Sequence, residues 1–143
     1  MTNELATTNN VAANIIPEGA FSTVDMTTFE GAQKITNAIN NSQSLAEYDE
    51  NNGNPVLTVV DIVVTPGMRK ARDGGDDTPC EDTRLILANG TSLMSQSGGI
   101  AKAARFIAGF CGAALHDGIM LRVVSSKLRN GNTVKSLEVV GKA

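Results

Sequence analysis

The sequence predicts a mainly β, mixed α+β fold, and three features carry that prediction. Segments rich in β-branched residues alternate with turn signals, the clearest being VLTVVDIVV at 56–64. Two pairs, Asn89-Gly90 and Asn130-Gly131, are typical of tight hairpin turns. One long apolar stretch, SGGIAKAARFIAGFCGAAL at 97–115, has helical periodicity. We therefore expect several short strands and one core helix.

A first helix is predicted over TTFEGAQKITNAIN at 27–40. Thr27 is the expected N-cap, and Glu30 three residues later completes a capping box. The apolar residues that recur on one face, and are expected to face the core, are Phe29, Ala32, Ile35 and Ile39. Residues 1–14 contain few apolar anchors and are expected to form a flexible tail, which leaves 15–143 as one OB-like domain (argued below).

Three strands are expected between the two helices. The first two, around 45–49 and 55–64, flank a stretch rich in Asn and Gly that favours a hairpin turn. The third covers DTRLILA at 82–88 and turns at Asn89-Gly90 into TSLMS. In the second helix, the stripe expected to be buried consists of Ile100, Ala103, Ala104, Ile107 and Cys111.

The last part of the chain, 118–140, predicts a hairpin with a type I′ turn at Asn130-Gly131. Pairing Arg129 with Asn132 sets Ser126 opposite Lys135 and Val124 opposite Leu137. That register puts Arg122, Leu128 and Lys135 on one face, and Leu121, Val123 and Glu138 on the other. Since neither face is purely polar, periodicity does not decide which one is buried.

Five strands with a helix between the third and the fourth form the order of an OB-fold barrel, here with one extra N-terminal helix. The connections fit this order, with tight turns after the first and fourth strands and a longer loop after the second. An SH3-like barrel and an α+β sandwich remain alternatives. The length of 143 residues is sufficient for a modest core.

Charge is unevenly distributed along this acidic chain, whose formal net charge is −3. Residues 1–66 carry eight acidic residues and one basic residue, whereas residues 67–143 carry eleven basic and seven acidic residues. Such asymmetry indicates an anionic partner for the second half. With no apolar run of membrane-spanning length and no signal-like start, a cytoplasmic protein that does not contact membranes is expected.

The residues that support catalysis or cofactor binding are sparse. His116 is the only histidine, and beside a predicted helix end its expected role is capping. Cys80 and Cys111 lack the spacing of a metal site and are expected to be free thiols. Glycines and a lysine open the second helix without the spacing of a nucleotide-binding loop. We therefore expect a protein that is not an enzyme and that binds neither a metal ion nor a cofactor.

The basic residues indicate binding of single-stranded DNA, because an OB barrel lines its groove with cations. Three of them lie in TPGMRKARDGGDDTP at 65–79, the expected loop between the second and third strands. The candidate DNA-binding residues are Tyr48, Arg69, Lys70, Arg72, Arg84, Arg122, Lys127, Arg129 and Lys135. Double-stranded DNA is left open as a second ligand.

Aromatic residues are few, with one Tyr, four Phe and no Trp, which is poor for a base-stacking surface. Tyr48, on the expected first strand, is the stacking candidate, and a structural role for it is equally compatible with the sequence. Phe29, Phe106 and Phe110 are expected in the core. The affinity of each site should then be modest, and contacts between neighbouring copies would compensate.

The block VLTVVDIVVTPGMRKARDGGDDTPCEDTRLILANGTSLMSQSGGIAKAARFIAGF, with VVSSKLRNGNTVKSLEVV after it, resembles single-stranded-DNA-binding proteins of Gram-positive conjugative plasmids and phages. The resemblance covers nearly the whole chain and contains no short diagnostic motif. It implies an OB-fold, sequence-independent DNA binding, self-association through the N-terminal tail, and a role in plasmid transfer or replication. The chain lacks an acidic, Pro/Gly-rich C-terminal tail, which argues against recruitment of the usual replication partners.

Two other functions stay open at this point. The first is a protein-interaction adaptor of a transfer or phage complex, in which the basic loop meets an acidic protein. The second is an enzyme that uses Cys111 or His116. Binding to an oligonucleotide across a salt series separates the first from a DNA-coating protein, and substitution of the two residues tests the second.

Overall fold

A computed structural model of the chain describes residues 19–71 and 74–143. The predicted tail at 1–14 and Arg72 lie outside the described residues. The helices are α1 (Phe29–Asn40), α2 (Leu45–Asn51) and α3 (Gly98–Cys111), followed by a 3-10 helix (Gly112–Asp117). The strands are β1 (Phe21–Ser22), β2 (Gln43–Ser44), β3 (Leu57–Arg69), β4 (Thr78–Leu87), β5 (Ser92–Ser95), β6 (Ile119–Lys127) and β7 (Thr133–Lys142).

The strands form one curled, open sheet, so the chain is a mixed α+β protein made mostly of strands. The order across the sheet is β2-β5-β4-β3-β6-β7, and β1 pairs with β3 outside this path. All pairings are antiparallel except that of β2 with β5. β3 pairs with β6 over 57–59 and with β4 from Val59 onwards, and the β3–β4 register shifts between Val59 and Asp61. One long strand therefore joins both halves of the sheet.

The main core lies inside the curl of the sheet. α3 covers it with Ile100, Ala104 and Ile107, and β3, β4 and β6 contribute side chains such as Ile62, Leu85 and Leu121. Ser97 caps this helix, its Oγ accepting from Ile100 N–H over 3.3 Å. The helix predicted at 97–115 is thus confirmed for Gly98–Cys111, with its buried stripe shifted towards Ala101 and Ala108.

A smaller cluster lies on the outer face of the sheet, under α1. It consists of Val24, Ala38, Val63 and Ile86, with Ile35 and Val60 packed against it. Of the four residues expected on the buried face of α1, Ile35 packs there, whereas the prediction was wrong for Phe29, Ala32 and Ile39, which are exposed; Gly31 and Ala38 are buried instead. Gly31 lies against the backbone of Asp25 and Ala38 belongs to the outer cluster, so two small residues share the buried side of α1 with Ile35.

The start of α1 also differs by one residue from the prediction. Thr28 is the N-cap, with Oγ1 accepting from Gly31 N–H over 3.0 Å. Thr27 instead donates from its backbone N–H and its hydroxyl to the carboxylate of Asp25. Thr27 and Thr28 have the same capping chemistry. Because Thr27 is bonded to Asp25 in the preceding turn, Thr28 is the residue that caps the helix.

Residues 45–51 form a helix where a strand was expected, so the first predicted strand was wrong. Ser44 caps α2, its Oγ accepting from Glu47 N–H over 3.3 Å. Ser44 and Glu47 have the spacing of a capping box, which favours a helix start. The turn residues that follow are typical of a hairpin and led to the prediction of a strand. α2 lies in the opening between β5 and β7, since Leu45 and Ala46 share a small cavity with Ser95 and Lys135.

The last hairpin is present, and its predicted register was wrong by one residue. Ser126 lies opposite Val134, and Val124 lies opposite Ser136. Gly131 has a φ of 86°, whereas the φ of Asn130 is not positive. A type I′ turn needs positive φ at both residues, so the connection is a longer one, closed by Leu128 N–H donating to Asn132 O over 2.8 Å.

This register changes which residues share a face of the hairpin. Lys135 lies opposite Ser125 on the face that carries Leu121, Val123 and Leu137. Arg122 lies opposite Glu138 on the other face. The prediction that Arg122 and Lys135 share a face was therefore wrong.

One segment of the described residues, Gly98–Asp117, is long and apolar enough to cross a membrane, with a mean hydropathy of 1.2. Ile100, Ala104 and Leu115 of this segment are buried in the main core. Helices that cover the core of soluble proteins have the same length and composition, so the segment is compatible with a soluble protein.

Candidate nucleic-acid interface

The basic stretch near residue 70 begins within a strand and is only partly a loop. β3 continues to Arg69, which lies opposite Thr78, so that the connecting loop is limited to 70–77. Arg69 and Lys70 are both exposed. Asp77 accepts a hydrogen bond from Ala71 N–H over 3.0 Å. The second of the two adjacent aspartates therefore closes the loop that carries the cations.

Gln96 connects the end of β3 to the start of α3. Its backbone oxygen accepts from Arg69 Nη2 over 2.5 Å. Its side-chain amide donates to Asp82 Oδ1 over 3.0 Å and to Met68 O over 3.3 Å. Gly67 leaves room for this arrangement, because a Cβ there would lie 2.5 Å from Asp82 Oδ1. Arg69 is thereby held beside the first turn of α3.

The other side of this helical turn contacts β7 at Lys135. A Cβ on Gly99 would lie 2.0 Å from the backbone oxygen of Lys135, so the two backbones are in close contact. The first turn of α3 therefore lies next to the guanidinium of Arg69 and to the backbone of Lys135. We call this group, formed by Arg69, Lys135 and residues Ser97–Gly99, the cationic turn.

Acidic residues of α2 lie near Lys135 and weaken the positive electrostatic potential around it. Lys135 lines an open cavity of about 490 Å³ together with Glu47, Asp49 and Glu50. None of these carboxylates forms an ion pair with Lys135 within the described ranges. α2 thus places three acidic residues near the lysine without neutralising it directly.

The tip of the β6–β7 hairpin carries two further exposed cations, Lys127 and Arg129. Arg122, nearer the core, is half-buried, and its Nη1 lies 3.8 Å from Glu138 Oε1. The hairpin therefore offers Lys127 and Arg129 to an anion, while Arg122 already has a partner on its own face.

Arg84 is not available at the surface, because it is only 8% exposed. Its Nε donates to Ser42 Oγ over 2.9 Å, and its Nη1 donates to Thr65 Oγ1 over 3.2 Å. Ser42, just after α1, thus contacts Arg84, an arrangement that the sequence did not indicate. The expectation that Arg84 contacts DNA does not fit this conformation of the chain.

Tyr48 lies on α2 and not on a strand, and its ring packs against the main core. One edge borders a shallow cavity of about 280 Å³ that Val56, Thr58 and Asn89 also line. The ring is half-buried, which makes a structural role its main one and leaves only an edge for a ligand.

The phenylalanines expected in the core are exposed. Phe106 is 54% exposed, Phe110 is 85% exposed, and Phe29 on α1 is 75% exposed. The rings of Phe106 and Phe110 stack with an interplanar angle of 7° and a centroid distance of 5.9 Å. The core prediction for these residues was wrong, because alanines and Ile107 occupy the inner face of α3.

A buried carboxylate that sequence reasoning missed joins three elements and the residue that follows β1. Asp61 on β3 is 2% exposed and accepts from Thr23 Oγ1 over 2.8 Å and from Lys34 Nζ over 2.5 Å. His116 Nδ1 lies 3.2 Å from Asp61 Oδ1. His116 therefore contacts a carboxylate from a distant strand, although its expected role was to cap a helix end. The partners are far apart in sequence, so no local pattern reveals them.

The two cysteines are free thiols. Burial, followed by the charge of Asp82, raises the pKa of the Cys80 thiol. A thiol with a raised pKa has less thiolate at neutral pH and is a poorer nucleophile. The described ranges also contain no group of three or more His, Cys, Asp or Glu residues that could hold a metal ion.

No family model matches the chain, and no curated protein or solved structure is significantly similar to it. The candidate interface therefore depends on the geometry of this chain.

Proposed function

We propose that this chain is a non-enzymatic protein that binds single-stranded DNA without sequence preference. The observation that carries the proposal is the cationic turn, where Arg69 and Lys135 flank the first turn of α3. The start of a helix carries partial positive charge and free backbone N–H groups, both of which favour phosphate. The guanidinium of Arg69 therefore lies next to a helix start that is suited to a nucleic-acid backbone, and the backbone of Lys135 contacts the same turn.

The strand order supports an OB-like barrel. β3, β4 and β5 form a meander, α3 follows, and β6 returns to pair with β3. OB-folds have five strands in such an order and bind oligonucleotides with the loops after the first and fourth strands. If β3 to β7 are those five strands, these loops are 70–77 and 128–132. Exposed cations border both, namely Arg69, Lys70, Lys127 and Arg129.

The position of α1 limits how DNA is bound in this proposal. OB-folds also bind oligonucleotides over the second and third strands, and α1 covers the outer face of β3 and β4 around Val63 and Ile86. We therefore assign the contacts to the loops and the cationic turn, with phosphate as the main target. Binding through phosphates is insensitive to sequence and strongly dependent on salt.

The proposed cellular setting comes from the sequence resemblance stated above. It is a cytoplasmic role in conjugative plasmid transfer or replication, in which many copies coat the strand cooperatively. Self-association is assigned to residues 1–14, which lie outside the described ranges. Deletion of residues 1–12 is expected to lower the Hill coefficient for coating a long oligonucleotide, while thermal unfolding stays unchanged. Equal cooperativity in both proteins would contradict this assignment.

The proposal is tested by titrating the protein into a fluorescent 30-nucleotide single strand at several salt concentrations. Binding should weaken as salt rises, with a log–log slope of about −0.7 for each phosphate contact. The triple variant R69A/K70A/K135A should lower the magnitude of that slope by about 2, and Lys142→Ala is the matched control on an exposed lysine. A double-stranded competitor of equal length measures strand preference.

Absence of binding at low salt, or binding that does not change with salt, would contradict the proposal. The adaptor function makes a different prediction. It requires weak DNA binding, together with a protein partner that is retained after nuclease treatment of the captured complex.

A further inference from the structure

The outer side of α3 carries a line of exposed residues spaced by four, and each member is one turn from the next. They are Lys102, Phe106 and Phe110. We call the stacked pair Phe106 and Phe110 the aromatic ridge. Phe110 is 85% exposed, and few large apolar side chains of the described residues are as accessible.

The ridge has no role in the core of this chain. Ile100, Ala104 and Ile107 form the buried side of α3, and the two rings point away from it. The rings lie nearly parallel, 7° apart, so that they present flat aromatic surface to solvent. Exposed aromatic surface of this kind is typical of a binding site.

The charge of α3 favours a polyanion as the occupant. The helix contains Lys102 and Arg105 and no acidic residue. Arg105 already pairs with Glu81 and lies over the ring of Phe21, whereas Lys102 is exposed. The line also starts at the cationic turn, because Lys102 follows Gly99 on the same helix. A strand held at that turn would meet Lys102 and then the ridge.

A second copy of the chain fits the ridge less well. Two exposed phenylalanine rings offer on the order of 300 Å², whereas each partner in a stable complex buries roughly 800 Å². Two copies of α3 would also bring the exposed Lys102 of both chains into one region without an acid on either helix.

We propose that the aromatic ridge is a base-stacking site for single-stranded nucleic acid, continuous with the cationic turn. This inference rests on the proposed function and extends the contact surface from loops and phosphates to the bases. Lys102 contacts a phosphate, and Phe106 and Phe110 stack on unpaired bases. Stacking of this kind is tolerant of sequence, since every base has a flat face.

The first test compares the affinity of Phe110→Ala and the wild-type protein for a 30-nucleotide single strand. We expect a loss of about fivefold or more, from the usual effect of removing one stacked ring. The salt slope should stay unchanged, because no phosphate contact is removed. Lys102→Gln should instead reduce the magnitude of the slope by about 0.7. Phe110→Tyr should bind like the wild type.

The second test reads stacking directly. The chain contains no tryptophan, so Phe110→Trp introduces a single fluorophore at the ridge. Its emission should be quenched by an oligonucleotide and much less by an abasic strand of equal length. Phe29→Trp is the matched control, because Phe29 is also exposed but lies on α1.

The outcomes separate this inference from the function on which it rests. Wild-type binding with equal affinity for Phe110→Ala, and no quenching of the tryptophan at 110, would overturn the stacking site and leave the proposed function standing. Failure of the wild type to bind any strand would overturn both. A wild-type dimer that Phe110→Ala converts to a monomer, measured by sedimentation without DNA, would show that a second copy occupies the ridge and would overturn the inference.

Discussion

The ammonium of Lys34 donates a hydrogen bond of 2.5 Å to the buried carboxylate of Asp61, and this bond ties α1 to the central strand β3. The side chain of Asp61 is 3% exposed, whereas the side chain of Lys34 is 41% exposed. α1 covers the outer face of the sheet, so this bond helps to fix which part of that face is accessible.

Lys34→Met is expected to lower the free energy of unfolding by about 1–3 kcal/mol. The substitution removes the ammonium and leaves a buried carboxylate with only Thr23 and His116 beside it. Urea unfolding monitored by circular dichroism measures the change, and Lys142→Met removes an exposed lysine as the control. Equal unfolding midpoints for the two variants would show that the bond contributes nothing.

Two glycines on helices should respond in opposite ways to alanine. A Cβ on Gly31 would lie 1.7 Å from the backbone oxygen of Asp25, so Gly31→Ala must displace α1 or the turn before it. We expect a loss of about 2 kcal/mol or more. Gly109 has no atom within 4 Å of such a Cβ, and Gly109→Ala should gain up to about 1 kcal/mol. Thermal unfolding of both variants tests the contrast, and a stabilised Gly31→Ala variant would contradict it.

Local sequence patterns identified the elements whose neighbours are close in the chain. The apolar stripe with helical spacing at 97–115 predicted α3, and β-branched runs located most of β3 and β4. The pattern failed at 45–51, where Asn-rich turn residues resembled a hairpin although Ser44 and Glu47 have the spacing of a capping box. It also failed for the last hairpin, because one additional loop residue shifts the register and exchanges the faces.

The site depended on contacts between distant residues, and the sequence shows them only in part. The cations of the loops could be identified from composition, and Arg69 and Lys70 are indeed exposed. The burial of Arg84 goes with hydrogen bonds to Ser42 and Thr65, partners distant in sequence that no local pattern reveals. Phe106 and Phe110 follow the spacing of an apolar stripe, yet alanines suffice for the inner face of α3. Large apolar residues therefore do not identify the buried face here.

Cys80 should be alkylated more slowly than an ordinary exposed thiol. Its pKa is raised by burial first and by Asp82 second, so at pH 8 it has less thiolate than usual. In a Cys111→Ser background, the rate with iodoacetamide should therefore rise only at a higher pH than for a free thiol. Asp82→Asn should increase the rate in part, because burial remains, and Asp76→Asn should leave it unchanged. A faster reaction than that of a model thiol would refute this account.

Neutralising α2 should strengthen the binding of single strands in the proposed function. Glu47 and Glu50 line the cavity beside Lys135 and oppose an approaching phosphate. E47Q/E50Q is expected to raise the affinity about twofold to fivefold at low salt, with the difference shrinking as salt screens the charges. E30Q/D117N changes the net charge equally at other sites. If both double variants bind single strands equally well, the gain in affinity would come from the change in net charge and not from the position of the acidic residues on α2.

Substitution of Arg84 should affect stability and not DNA binding, and substitution of Arg69 should do the opposite. Arg84→Gln removes hydrogen bonds to Ser42 and Thr65 in a buried site, so the free energy of unfolding should fall by about 1–3 kcal/mol. The salt slope for a single strand should not change, because the covered guanidinium contacts no phosphate. Arg69→Gln should do the reverse, lowering the magnitude of the slope by about 0.7 with little loss of stability. A reduced slope for folded Arg84→Gln would mean that Arg84 leaves Ser42 and Thr65 when DNA binds and becomes exposed.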